Sequence, residues 1–382
     1  MKICFLTIKN PEDKNSWSGI FYHMYVNLKR NHKVEWIGNI KFKLWQKILM
    51  KSLHISNKFR KSKFWIPNIL FCRFYADNVK KKIEQGKYDL IYAPVSSTLI
   101  AFLDTTIPIV YLSDATFNLM VDYYPEFTGL SKKNIKDGNK IDRMALERIE
   151  KAIFCSDWAK NSAIKFYKVP PEKISMLEFG ANLLYEPTPS DLDFSDTETC
   201  NILFLGVDWI RKGGEKAYKT YLQLKKRELP CSFTIIGCNP KIDLEDHNIT
   251  IIPFINKNDR TDFDKLYKIF LQTHILLLPT KAECFGIVFS EASAFGIPSI
   301  TTNTGGIPSA IKDGVNGYLL DVNADEHSFA DKIYSIFSNK ELFKELRVSS
   351  RREYESRLSW KVWAENFNVC INDMVGIKNS NF

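Results

Sequence analysis

The sequence predicts an α/β protein built from two doubly wound, Rossmann-like domains. Three observations carry that prediction. At 382 residues the chain favours about two domains. Short apolar runs alternate with helical patterns through both halves, which argues for parallel sheets covered by helices on both faces. A polar, acidic, proline-containing stretch over 186–199 separates the two series and reads as a linker. Hydrophobic residues make up 45% of the chain, enough for packed cores, so global disorder is excluded.

The first series has candidate strands at Lys2–Ile8, Val34–Ile37, Asp89–Tyr92, Ile107–Leu112, Ala152–Cys155 and Ile174–Leu177. Helical patterns fall at Ile20–Arg30, Asp142–Glu150 and Asp157–Tyr167. The second has strands at Asn201–Gly206, Ser232–Gly237, Ile249–Pro253, His274–Leu278, Pro298–Thr301 and Tyr318–Leu320. Its helices are expected at Glu215–Arg227, Asp262–Leu271, Val288–Phe295 and Glu341–Leu358. The domains are therefore expected at 1–187 and 188–359.

Composition narrows the function classes. Residues 1–187 hold 30 Lys+Arg against 18 Asp+Glu, whereas residues 188–382 hold 23 against 26. The excess positive charge concentrates between Trp36 and Ala76, which contains nine basic residues and no acidic one. From 41 to 54 lysines interleave with Phe42, Leu44, Trp45, Ile48 and Leu49 at helical spacing, and the basic, aromatic-rich segment runs on to 65. That pattern suits a helix lying on an anionic membrane surface. It also suits a solvated basic face or, with its aromatic residues, a nucleic-acid backbone. The membrane surface is the partner expected, and nucleic acid is not. The run Met1–Ile8 is too short for a signal peptide and reads as a first strand. No apolar stretch approaches the roughly 20 residues of a membrane span.

The eight cysteines show no Cys-x-x-Cys pairing, which suits buried thiols in a reducing cytosol. The six histidines lack zinc-ligand spacing, and no metal is expected. Asp191-Leu192-Asp193 formally matches a metal-binding Asp-x-Asp, but it lies in the flexible acidic connection rather than at a strand end.

The chemistry concentrates in Lys281-Ala282-Glu283-Cys284-Phe285-Gly286-Ile287-Val288-Phe289-Ser290-Glu291. An apolar strand ends at Pro279, a short loop follows, and a helix then runs to Gly296-Ile297-Pro298. The free amides of Phe285, Gly286 and Ile287 stand at the positive end of that helix, where a phosphate-bearing ligand is stabilised. Gly286 lets the backbone come close to the ligand. Glu291, about a turn further on, can accept the two hydroxyls that a ribose offers. Upstream, Arg211 and Lys212 follow a strand and precede Gly213-Gly214 at a helix start. An arginine fork beside a compact lysine charge suits phosphate. Ser16-Trp17-Ser18-Gly19 opens a helix after the first strand, either as a ligand loop or as an ordinary capping turn. It is not a Gly-x-Gly-x-x-Gly, which tells against a dinucleotide dehydrogenase.

These residues resemble the Glu-(seven residues)-Glu signature of retaining glycosyltransferases of family four, which have the GT-B fold. The resemblance extends through Gly305-Gly306-Ile307-Pro308 and Asp313-Gly314-Val315-Asn316-Gly317-Tyr318. Upstream it includes Gly206–Gly214 and Phe179-Gly180-Ala181-Asn182. It implies two Rossmann-like domains facing each other across a deep cleft, with a final helix at Trp360–Val375 (residues about 360–382) returning to the N-terminal domain. The N-terminal domain would bind the acceptor and the C-terminal domain the nucleotide sugar.

Residue by residue, the resemblance places Glu283 at the donor sugar as the catalytic candidate, and Phe285, Gly286 and Ile287 at its hydroxyls and phosphate. It assigns Arg211 and Lys212 to the diphosphate, Glu291 to the ribose, Gly19 near the diphosphate and acceptor, and Gly237 and Phe254 to the base. Val207 stands where many relatives have arginine, so Arg211 is expected to supply that contact. Asp114 stands near a point where many relatives have histidine against the transferred sugar. It is expected to accept from a sugar or acceptor hydroxyl or to stabilise an oxocarbenium-like centre, and helix capping is its other reading. Trp158 and Asn182 suit ligand contact or packing equally.

The expected activity is transfer of a sugar from a UDP- or GDP-linked donor to a glycan or lipid-linked saccharide in envelope polysaccharide assembly. Retention, no metal and no cofactor beyond the donor substrate are implied, at the cytoplasmic side of the membrane. The alternatives are an epimerase or phosphorylase of the same fold, or a non-catalytic lipid or nucleic-acid binder using 41–65.

Overall fold

The computed structural model describes residues 1–40, 42, 44–46, 48–49, 68–192, 198–242 and 245–375. Most of the basic segment 41–65 lies outside these residues, as does Asp193. The chain divides into two compact units, Met1–Leu177 with Ala364–Phe382, and Glu178–Trp363. Residues 178–187, read from the sequence with the first domain, cluster with the second. Phe179 packs edge-on against Phe285, and its carbonyl accepts from the buried Ser290 hydroxyl at 2.9 Å. Asn182 accepts from the Trp360 indole at 2.9 Å, and Tyr185 packs on Phe263 and Tyr267.

The first unit holds strands β1 (Lys2–Leu6), β2 (Lys33–Ile37), β3 (Leu90–Pro94), β4 (Ile109–Ser113), β5 (Lys151–Phe154) and β6 (Ile174–Met176). They form one parallel sheet in the order β2-β1-β3-β4-β5-β6. β3 and β4 are buried along their whole length, as continuous apolar runs covered on both faces must be. Helix α1 (Ile20–Leu28) follows the first loop. Helix α2 (Ile69–Gly86) was not expected, although Phe71, Cys72, Ala76, Val79 and Ile83 recur at helical spacing and Asn68 caps its start. The helix expected from Asp142 begins ten residues earlier, as α3 (Lys132–Glu147), because Ser131 accepts from Asn134 N–H and starts the turn there. Helix α4 (Asp157–Lys165) follows β5 and is capped by Ser156.

The second unit holds β7 (Cys200–Leu205), β8 (Cys231–Ile236), β9 (Ile249–Ile252), β10 (Ile275–Leu278), β11 (Ser299–Thr302) and β12 (Gly317–Leu320). They are parallel in the order β9-β8-β7-β10-β11-β12. The chain leaves β7 towards one edge and resumes at β10 towards the other. In sheets of this kind ligands sit beyond the carboxyl ends of the strands, at such a reversal. Helices α5 (Gly214–Lys226), α6 (Arg260–Gln272) and α7 (Ile287–Ala294) follow β7, β9 and β10. Beyond β12 come α8 (Glu326–Phe337) and α9 (Lys340–Ser356), capped by Asp325 and Asn339. Helix α8 was also unexpected. Helix α10 (Trp360–Val375) has the expected span, and its later part clusters with the first unit, where Phe367 meets Tyr92.

Candidate functional site

The reversal between β7 and β10 brings two distant loops together. After β7, residues 206–213 turn tightly, with Arg211 N–H donating to Asp208 Oδ1 at 3.0 Å and Lys212 N–H to the Asp208 carbonyl at 2.9 Å. Gly213 then enters α5 with φ +74°. A methyl group there would run into the Pro279 carbonyl, so this position needs glycine both for its backbone angle and for its fit against the second loop. After β10, Lys281 N–H donates to the Arg211 carbonyl at 2.8 Å, and the buried Thr280 hydroxyl donates to the same carbonyl at 3.1 Å. The two loops are stitched through their backbones before any ligand is considered.

Their side chains converge on Glu283, which is buried. Lys212 Nζ pairs with Glu283 Oε1, and Arg211 Nη1 reaches the same oxygen at 3.4 Å while donating to the Ala282 carbonyl at 2.8 Å. The Glu283 carbonyl accepts from Gly306 N–H at 3.1 Å, which ties the Gly305–Pro308 motif to the site. Burial, and then the adjacent Arg211 guanidinium, push the Lys212 ammonium below its ordinary value. The sequence reading sent Glu283 to the sugar and Lys212 to the phosphate as separate contacts. In the structure they form one cluster, because β7 and β10 are neighbours.

Helix α7 starts at Gly286, which has φ +84° and ψ +75°. The amides of Phe285, Gly286 and Ile287 lie at this start, where helical geometry gives the first N–H groups no carbonyl of their own. Phe285 is buried against Phe179. One turn into α7, Glu291 is 1% exposed, and its Oε1 accepts from Lys257 Nζ at 2.8 Å. Gly237 follows β8 with φ +96°, its N–H donating to the Ile252 carbonyl at 3.0 Å. Phe254 follows β9 and is 69% exposed. Val207, in the same loop as Arg211, is 79% exposed.

In the first unit, Gly19 has φ +90° and occupies the N-cap of α1. It follows Trp17 and Ser18, which are also left-handed at φ +49° and +55°. Asp114 lies just past β4 and is not a helix cap. Thr116 holds the N-cap of the short helix Phe117–Met120, whose Phe117 N–H donates to Asp142 Oδ2 at 2.6 Å. Burial raises the Asp114 carboxyl to about 6, against hydrogen bonds from its own amide, the Trp17 indole and the Ala115 amide. Asp142, buried on α3, is likewise raised to about 6 by burial. Trp158 packs on Tyr123 at 5.0 Å between ring centroids, and His23 lies on α1.

Other motif residues serve the fold. Asn316 is fully buried; it accepts from Lys312 N–H at 2.7 Å and donates to the Ala310 carbonyl at 3.0 Å. Asp191 accepts from Thr188 N–H at 2.8 Å and from the Tyr267 hydroxyl at 3.3 Å, which makes it a turn residue. Among the described residues no group of three or more His, Cys, Asp or Glu side chains could hold a metal ion. Sequence reasoning missed Lys257 and Asp142. Helical spacing around Ile141 and Ala145 could have flagged Asp142 as buried, but nothing in the sequence couples Lys257 to Glu291.

Residues 194–353 match the family described as glycosyl transferases group 1. Among characterised proteins, the N-acetyl-alpha-D-glucosaminyl L-malate synthase of Bacillus anthracis is 31% identical over 130 residues, covering 34% of this chain and 32% of that protein. The chain spans about a third of the length of the first curated relatives it matches, at 31%, 32% and 38%. Solved structures match nearly end to end. Sucrose-phosphate synthase from Thermosynechococcus elongatus superposes with a TM-score of 0.70 at 14% identity, over 99% of this chain and 100% of that one. Anabaena HepE, in complex with UDP and glucose, gives 0.65 at 17% identity, over 98% and 100%. The fold is that of the GT-B class, two Rossmann-like α/β domains.

Proposed function

We propose that this chain, with a group 1 glycosyl transferase region on a GT-B fold, moves a sugar from a UDP- or GDP-linked donor to a saccharide acceptor. The acceptor is a glycan or a lipid-linked saccharide of envelope polysaccharide assembly, met at the cytoplasmic face of the membrane, and the anomeric configuration is retained. The observation that carries the reading is the cluster of Lys212, Arg211 and Glu283 at the β7/β10 reversal, beside the start of α7. HepE, of the same fold, has been crystallised with UDP-glucose, which supports a UDP-linked donor. Another solved structure of the same fold is titled as a glycosyltransferase involved in lipopolysaccharide biosynthesis, which supports the envelope acceptor.

The chemistry follows from charge. As the bond from the anomeric carbon to the diphosphate oxygen breaks, negative charge builds on the departing phosphate. Cations and amides already in place stabilise that charge most effectively. Lys212 and Arg211 now neutralise Glu283, and a bound diphosphate competes for both, leaving the carboxylate beside the sugar. The acceptor oxygen bonds to the anomeric carbon from the face the phosphate leaves. Its proton passes to the departing phosphate oxygen, so no separate base is required.

The test is release of free nucleoside diphosphate from UDP- and GDP-sugars with and without saccharide acceptors. Acceptor-dependent release is expected, falling about 100-fold or more in Glu283→Gln. Isomerised sugar nucleotide, or release requiring only inorganic phosphate, would assign the fold to epimerase or phosphorylase chemistry instead.

A further inference from the structure

The segment that carries Asp114 is held from outside itself. Asp114 stands between Ser113 and Ala115, whose carbonyl accepts from the Ser113 hydroxyl at 2.7 Å. Thr116 then opens the short helix Phe117–Met120, but its hydroxyl shares a hydrogen bond with the Ser162 hydroxyl at 2.7 Å and does not cap the helix. The first amides of a helix have no carbonyl of their own. Here Phe117 N–H donates to Asp142 Oδ2 at 2.6 Å, and Asn118 N–H to the Tyr167 hydroxyl at 3.1 Å. That hydroxyl in turn donates to Asn139 Oδ1 at 2.7 Å.

Three nearby residues of α3 therefore grip one segment. Gly138 lies against the Phe117 ring, and a methyl group there would run into it. Asn139 acts through Tyr167, and Asp142 acts directly. Asp142 is a costly choice for a cap. It is 7% exposed, and its neighbours are Cys72 of α2, Ser97, Tyr111 of β4 and Tyr167. Arg143 lies over the Tyr167 ring at 5.6 Å, and no cation is among the groups that act on the Asp142 carboxyl. Burying a carboxyl in this way costs stability. A serine or threonine cap would serve the short helix alone. What the distant carboxyl adds is position, because it fixes the residues that follow Asp114 relative to α3.

We propose that Asp142, with Gly138 and Asn139, is a positioning residue that keeps Asp114 in its buried place beyond β4. The inference rests on the reading of Asp114 as a sugar or acceptor contact in the function proposed above, and it adds residues that act through Asp114.

The experiment measures acceptor-dependent turnover of the full chain from pH 4 to 8, with affinity for UDP and GDP by calorimetry. Asp142→Leu removes the acceptor and should lower kcat about 100-fold, the cost of a misplacement of about 1 Å, while nucleotide affinity holds. The rise of turnover that follows ionisation of Asp114 should also move down from about 6 towards the ordinary 3.8, as water reaches a loosened carboxyl. Asp142→Asn keeps an oxygen for the Phe117 N–H and should retain both the turnover and the midpoint of the wild type. A leucine variant with unchanged turnover, or one that is slowed while its midpoint stays near 6, overturns the inference. An asparagine variant as impaired as the leucine one overturns it too. Should Asp142→Leu fail to fold, Tyr167→Phe and Gly138→Ala take its place; a lowered midpoint in either supports the assignment, and a midpoint near 6 in both overturns it. If Asp114→Asn keeps the wild-type profile, the reading of Asp114 fails and this inference with it. A wild type without acceptor-dependent turnover overturns the proposed function itself.

Discussion

Glu283 and Asp114 occupy the same kind of place, just beyond the carboxyl end of a parallel strand, one in each sheet, and burial acts on both. Their surroundings differ. Glu283 is met by two cations drawn from the loop after β7. Asp114 is met by an indole and backbone amides, with no cation among the groups that act on its carboxyl, and it rises to about 6. Asp142, without a cation as well, rises equally. The same strand–loop scaffold thus holds a buried carboxylate paired with two cations in one unit and carboxyls raised to about 6 by burial in the other.

Removing the cation should break this contrast most severely. Lys212→Ala removes the closer of the two cations and keeps Arg211 Nη1 at 3.4 Å from Glu283, and stripping one partner from a buried pair costs up to about 3–5 kcal/mol. Turnover should fall by about 100- to 1000-fold, with donor affinity falling too. Arg211→Ala should cost less, because Lys212 retains the direct contact. If steady-state kinetics show Lys212→Ala within twofold of the wild type, the cations have no part in the chemistry.

How much of this was legible without coordinates follows from where each interaction lives. Continuous apolar runs such as Ile275–Leu278 announce buried strands, and all twelve strands lie where the sequence put them, within two or three residues at their ends. Helix α8 was equally legible, since Asp325 caps a run with Phe329, Ala330, Ile333 and Ile336 on one face; it was simply not read. The start of α3 was harder, because Lys132–Lys140 is polar and only Ser131 marks it. Site residues in the loops were findable because their spacing is local. The pairings of Lys212 with Glu283 and of Lys257 with Glu291 were not. Each joins residues 71 and 34 positions apart, through a strand order that no local pattern contains.

The neutral side of the contrast can be sharpened by pH. Ionised Asp114 is the form that accepts a hydroxyl, so turnover should rise as pH passes about 6, and Asp114→Asn should be slower and lack that rise. Stability moves the other way. The carboxyl titrates near 3.8 unfolded and near 6 folded, so between those values the folded state holds more protons. Its contribution is complete below about pH 4, is lost as pH rises to about 6, and stays lost above. Thermal melts from pH 4 to 7 should therefore fall less steeply in Asp114→Asn, with Asp142 accounting for the slope that remains. Parallel melting curves for the two proteins would mean that Asp114 is not the group being titrated.

The smallest effect isolates what the first unit supplies in place of a cation. The Trp17 indole hydrogen-bonds Asp114 and draws its carboxyl down against burial. Trp17 is held there by an unusual backbone, three successive left-handed residues ending at Gly19, and by its ring packing on Phe21 at 5.0 Å. Trp17→Phe keeps an aromatic ring for that packing but removes the N–H. Losing one hydrogen bond to a charged group, worth about 1.5–3 kcal/mol at most, should move the turnover midpoint upward by about one pH unit. The plateau at high pH should change little, because the carboxylate is still present once ionised. A midpoint that stays put, or moves down, would show that burial alone sets Asp114, and that the indole is there only to pack.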